Sequence, residues 1–73
     1  MEAPETLVAR VLGIAENRVT DELAFQSIPQ WDSMNHMNLI LAIEESYDVE
    51  IDPDTIVELT SVAAIREFAA NRQ

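Results

Sequence analysis

The sequence predicts an all-α fold, a small four-helix bundle with a long first loop and a short third helix. Three observations predict it. Apolar residues recur at helical spacing. Cap and first-turn residues stand where each helix should begin. With 48% hydrophobic residues, one Gly and three Pro, the composition is that of a folded helical domain rather than a disordered acidic tail. The 73 residues suffice for a single domain, residues 1–73, with one small core. Domains of this size bury only ~60% of the surface they expose when unfolded. A deep substrate pocket with its own catalytic shell is not expected.

The first helix spans about Pro4 to Leu12. Pro4 suits a first helical position and Glu5 suits the first turn. Leu7, Val8, Val11 and Leu12 make its apolar face. Gly13 can adopt the left-handed stop conformation, with Ile14 as the hydrophobic clasp behind it. A long connection follows, from about Ala15 to Trp31. Loops of that length are uncommon in compact domains unless functional or pinned. Val19, Leu23, Phe25 and Ile28 are the residues that can pin it. The second helix starts at Asp32 or Ser33, either of which can cap it, and continues to about Tyr47. Asp48-Val49-Glu50-Ile51 reads as extended chain or turn. Asp52-Pro53 is a cap followed by a first-position proline, which opens a short third helix over about Pro53 to Glu58. Thr60 or Ser61 caps the last helix, which runs to about Asn71 with Val62, Ile65, Phe68 and Ala69 facing inward.

The second helix carries two apolar stripes. At 100° per residue, Leu39, Ile40, Ile43 and Tyr47 share one broad face, while Met34, Met37 and Leu41 lie nearly opposite. The Ile/Leu/Tyr face, larger and stiffer, is the expected core side. That leaves the methionine stripe at least partly exposed, flanked by Asn38, Glu44 and Glu45. Methionine adapts its shape and suits a surface that meets several partners. The alternative is a central helix buried on both sides.

Charge is distributed unevenly. The formal net charge is −10, and the only bases are Arg10, Arg18, Arg66 and Arg72. Between Val19 and Ile65 stand ten acids and no base, so the whole excess lies in the middle of the chain. Nucleic-acid and anionic-membrane partners are disfavoured, because both need a basic patch. A partner with a basic surface is favoured, and the field would speed the encounter. A solvated acidic surface kept for solubility is the alternative. Without cysteine there is no disulfide, thiolate nucleophile or Cys-ligated metal. Met1-Glu2-Ala3-Pro4 does not read as a signal peptide, and no apolar run approaches the ~20 residues of a membrane span. The expected compartment is the cytoplasm, with no membrane insertion and a monomeric state.

Ser33 is the residue with chemistry to offer. As a hydrolytic nucleophile it would need a base in reach, an orienting acid and an oxyanion hole. His36, three residues on, points about 60° away around the helix, towards the Ile40/Ile43 face. As a carrier it is better placed, because a helix start offers unpaired N–H groups and a positive dipole to a phosphate ester. Read alone, it is a plain N-cap serine. No metal site is expected. Asp48-x-Glu50-x-Asp52-x-Asp54 alternates like a calcium loop, but the sixth and twelfth positions are Pro53 and Leu59 instead of Gly and Glu. Trp31 reads as an apolar anchor at the loop–helix junction.

The segment Trp31-Asp32-Ser33-Met34-Asn35-His36-Met37-Asn38-Leu39-Ile40 resembles the Asp-Ser-Leu modification motif of the acyl carrier protein family, the phosphopantetheine-binding carrier proteins. The resemblance continues through Glu44-Glu45, Tyr47-Asp48-Val49-Glu50-Ile51 and Leu59-Thr60-Ser61-Val62, and so covers essentially the whole chain. It implies that Ser33 receives 4′-phosphopantetheine from coenzyme A, and that the thiol of this arm carries an acyl or aminoacyl group as a thioester. It implies Asp32 as the neighbouring acid that helps the transferase reach the serine. Met34, Met37, Asn38, Leu41, Glu44 and Glu45 become docking residues. Met34 replaces the usual Leu, a volume-conserving swap. Asn35 and Asn38 stand where carriers of primary fatty-acid synthesis often have acids, which suggests a specialised carrier. The expected partners are a phosphopantetheinyl transferase, an acyl-loading ligase or synthase, and acyl-transferring enzymes with basic docking surfaces. The expected function is a discrete acyl carrier, not itself an enzyme, in fatty-acid, polyketide or other specialised acyl metabolism. The alternatives are an aminoacyl or peptidyl carrier, and an unmodified acidic interaction module in which Ser33 is only a cap.

Overall fold

A computed structural model describes residues 2–71, so Arg72, one of the four bases, lies outside the described residues. It contains α1 (Pro4–Leu12), α2 (Ser33–Tyr47), α3 (Pro53–Glu58) and α4 (Val62–Ala70), in the predicted order. Helix α4 stops at Ala70, and Asn71 forms its C-cap. Inside the long connection lies a single 3₁₀ turn, Glu16–Arg18, which has no apolar period to announce it. Among the described residues no helix is long and apolar enough to cross a membrane.

The helix ends follow from local chemistry. Gly13 sits at φ 71°, and its N–H and that of Ile14 both donate to the Ala9 carbonyl, at 2.9 and 3.1 Å. This left-handed stop satisfies an orphan carbonyl of α1. Helix α2 ends at Asp48, also left-handed at φ 54°, where Asp takes the place more often given to Gly. Asp52 caps α3 by accepting the Thr55 N–H at 2.8 Å. Of the two candidate caps for α4, Ser61 is the one used, its Oγ accepting the Ala64 N–H at 3.1 Å.

Leu7, Val8 and Leu12 of α1, Leu39, Ile40 and Ile43 of α2, and Val62 and Ile65 of α4 form one buried core. Each such side chain is worth roughly 1.5–3 kcal/mol of transfer free energy. Val19 and Trp31 enter the same core from the loop. Leu23, Phe25 and Ile28 pack half-buried against it, which is the pinning the sequence called for. The backbone adds a second restraint. Phe25 N–H donates to Thr60 O at 2.8 Å and Val62 N–H to Leu23 O at 2.9 Å, stitching the loop to the start of α4. Ser27 closes a tight turn on Ala24, and Gln26, left-handed at φ 67°, donates its N–H to the Trp31 carbonyl at 2.9 Å. The loop therefore delivers Trp31 inward and Asp32-Ser33 outward at a fixed place.

Helix α3 is the weakly anchored element. None of its six residues is fully buried, although Ile51 before it and Leu59 after it are. Two arginines are paired: Arg10 with Glu2 at 2.9 Å, and Arg66 with Asp21 at 3.3 Å and Glu5 at 3.8 Å.

Candidate functional site

Asp32, in extended conformation, is the N-cap of α2, its Oδ1 accepting the Asn35 N–H at 2.9 Å. This resolves the choice the sequence left open. Ser33 is the first helical residue, exposed, and among the described residues nothing hydrogen-bonds to its Oγ. The Ser33 and Met34 N–H groups likewise have no partner among the described residues. A hydroxyl thus stands beside unpaired donors at the positive end of a fifteen-residue helix.

Asn35 and Asn38 have a structural reason. Asn35 Nδ2 donates to the Gln30 carbonyl at 2.7 Å, and Asn38 Nδ2 donates to Asn35 Oδ1 at 3.2 Å. A carboxylate at position 35 would have no hydrogen to give. The pair locks the first turn of α2 to the loop.

His36 is buried, only 7% exposed. The Trp31 indole N–H donates to His36 Nδ1 at 3.1 Å. Indole is a donor only, so the imidazole proton resides on Nε2, which donates to the Ile56 carbonyl at 3.0 Å. The ring packs against Phe25 and Trp31 at centroid distances of 5.2 and 6.2 Å. Both nitrogens are engaged away from Ser33, so His36 does not serve as its base.

Ser33 borders a groove of about 420 Å³ between the start of α2 and α3, walled by Phe25, His36, Met37, Ile56 and Val57. Outside it runs the second stripe of α2. Met34 is 76% exposed, Met37 46% and Leu41 54%, so this helix is not buried on both sides. Val57 of α3, 70% exposed, extends the apolar surface across the groove. Sequence reading missed it, because a lone valine in a six-residue helix has no period to place it. Of the flanking polar residues, Asn38 and Glu45 are exposed. Glu44 is half-buried and turns inward, its Oε2 accepting the Ile51 N–H at 2.9 Å.

Asp52 and Tyr47 are among the groups shifted in their titration. Thr55, through its hydroxyl and its N–H, holds the Asp52 carboxyl below the usual aspartate range. Burial, then Glu5 and Glu2, raises Tyr47, whose hydroxyl donates to the Glu2 carbonyl at 2.9 Å. Among the described residues no three His, Asp or Glu side chains converge as metal ligands would.

The arrangement fits a phosphate-linked arm: an accessible hydroxyl with no internal bond, unpaired N–H groups beside it, and an apolar groove alongside. The chain matches the family model described as the phosphopantetheine attachment site over residues 5–69, from the first turn of α1 to the last turn of α4. It belongs to that family, the carrier proteins that hold 4′-phosphopantetheine covalently, acyl and peptidyl carriers among them.

Proposed function

We propose that Ser33 is the attachment point and that the protein carries acyl groups as thioesters for fatty-acid, polyketide or other specialised acyl metabolism, in the cytoplasm and without catalysis of its own. The observation that carries this reading is the division of labour at the start of α2. Asp32 takes the cap, so the Ser33 hydroxyl is left without a structural task. A serine that was merely a cap would accept the N–H that Asp32 accepts. This is also what weighs against an unmodified interaction module.

In the transfer, Ser33 Oγ bonds to the phosphate next to the pantetheine of coenzyme A. The adenosine bisphosphate leaves, and the hydroxyl proton passes to a base of the transferase. Once attached, the arm supplies the thiol that the chain lacks. The α2 dipole favours the phosphate by roughly 0.3–1 kcal/mol at a solvated site. Asp32 holds the helix start rigid with Ser33 outermost, and its charge faces the incoming transferase. The groove walled by His36, Met37, Ile56 and Val57 offers apolar cover next to the serine, worth about 0.8 kcal/mol per buried methylene.

Partners dock on the exposed stripe: Met34, Met37 and Leu41, with Asn38 and Glu45 at its edge and Val57 across the groove. Glu44 contributes charge there while its carboxylate braces Ile51. The reading implies a phosphopantetheinyl transferase, an acyl-loading ligase or synthase, and acyl-transferring enzymes with basic docking surfaces. Incubation with coenzyme A and a broad-specificity transferase should add one phosphopantetheine to the intact mass. Ser33→Ala should gain nothing. No gain by the wild type with several competent transferases would reject the reading.

A further inference from the structure

We propose that His36 is the positioning residue of the Ser33 site, clamping α3 to the start of α2 and so fixing the α3 wall of the groove. The proposal rests on Ser33 as the attachment point for its functional meaning, but not for its geometry. One imidazole touches three elements. Its backbone is in the first turn of α2, with the His36 N–H on the Asp32 carbonyl at 2.8 Å. Its Nδ1 takes the indole N–H of Trp31, the residue that sets where the loop ends. Its Nε2–H is given to Ile56 O, twenty residues away in α3.

The last bond matters because the other anchors of α3 are few: Ile56 packs half-buried against the core, and only the flanking Ile51 and Leu59 are buried. A six-residue helix is far below the length that is stable by itself. None of its residues is fully buried. The Ile56 carbonyl is one of the last four of α3, which have no intrahelical partner to rely on. Its hydrogen comes from α2, through His36. His36, Ile56 and Val57 are also walls of the groove that Ser33 borders. Breaking the Nε2 bond therefore frees the wall that carries Ile56 and Val57. Breaking the Nδ1 bond instead frees the loop side and leaves the α3 wall in place.

Stereochemistry separates the two bonds. An asparagine oxygen reaches the place of Nδ1, so His36→Asn keeps the Trp31 bond and loses the one to Ile56. A glutamine nitrogen reaches the place of Nε2, so His36→Gln keeps the Ile56 bond and loses the one to Trp31. Amide hydrogen exchange on the full chain is the test. His36→Asn should speed exchange of the Ile56 and Leu59 N–H groups roughly fivefold, the equivalent of one ordinary net hydrogen bond, with Ile65 and the α1 amides unchanged. In His36→Gln the α3 amides should keep wild-type protection, and the Trp31 indole N–H should exchange faster. Equal loss in all helices of both variants would mean a merely structural histidine and would overturn the proposal. So would unchanged α3 exchange in His36→Asn. On the loaded protein, hydroxylamine should cleave the thioester faster from His36→Asn than from His36→Gln, and equal rates would overturn the control of the groove. The hydroxylamine comparison uses only molecules of each variant that intact mass shows to carry the arm. If the wild type gains no arm, the attachment reading fails and the exchange arm still decides the clamp.

Discussion

Glu44 and Glu45 are adjacent acids in different surroundings, and substitution should separate them. Glu44 Oε2 accepts the Ile51 N–H at 2.9 Å, and Ile51 is buried. Glu44→Ala leaves that part-buried N–H without its acceptor. A buried group stripped of its partner costs about 1–3 kcal/mol. For a domain of this size each kcal/mol lowers Tm by about 4–8 °C. Glu45 is exposed, and an exposed substitution of this kind changes stability by less than ~0.5 kcal/mol. Glu44→Gln retains a carbonyl oxygen and should recover most of the loss. Thermal melts followed by circular dichroism, with Trp31 fluorescence as a second probe, measure all three. A Glu44→Ala protein that melts no lower than Glu45→Ala would refute the brace. The docking side is read from modification rates. Reversal to Lys at Glu45 should slow transfer at low salt and matter less at high salt. Unchanged rates would remove Glu45 from recognition.

The other predictions concern the start of α2 and the cap of α3. Asp32→Ala should cost ~1 kcal/mol as a lost N-cap, whereas Asp32→Asn keeps the cap. Slower transfer to a stable Asp32→Asn protein would show the charge at work, and an unchanged rate would confine Asp32 to capping. Replacing Met34 and Leu41 together by Ser should leave the melting temperature nearly unchanged and raise KM for the transferase. An unaltered KM would take the stripe out of docking. Asp52 titrates below its unfolded value, so its contribution is present above the ordinary aspartate range and is lost as pH falls through the folded value. Asp52→Asn should therefore show a smaller drop in Tm between about pH 6 and pH 3 than the wild type. An equal drop would place the acid sensitivity elsewhere.

Much of this molecule was legible in its sequence because its signals are local. Pro4 announces a helix start by its fixed φ, and Asp52-Pro53, Thr60-Ser61 and Gly13 announce starts and a stop through bonds that span four or five residues. The exposure of Met34, Met37 and Leu41 followed from period and residue type. The rest depends on contacts between distant parts of the chain. That Asp32 and not Ser33 caps α2 is decided by how the loop enters the helix. Glu44 turns inward to meet an N–H seven residues on, which periodicity does not report. His36 was placed towards the core face, but its Ile56 partner lies in another helix. Val57 joined the exposed surface because α3 crosses beside α2. Asn35, read only as a missing acid, turned out to bind the helix to the loop, and Asn38, read as a missing acid and as an edge of the docking stripe, donates to Asn35.

The central claim is that the Ser33 hydroxyl, relieved of capping by Asp32, holds the arm. The most direct measurement is intact mass, followed by fragment mapping, after incubation with coenzyme A and a transferase. The account predicts a single addition of one phosphopantetheine located on Ser33, and none on a folded Ser33→Ala protein. Addition at another residue, or to Ser33→Ala, would contradict it.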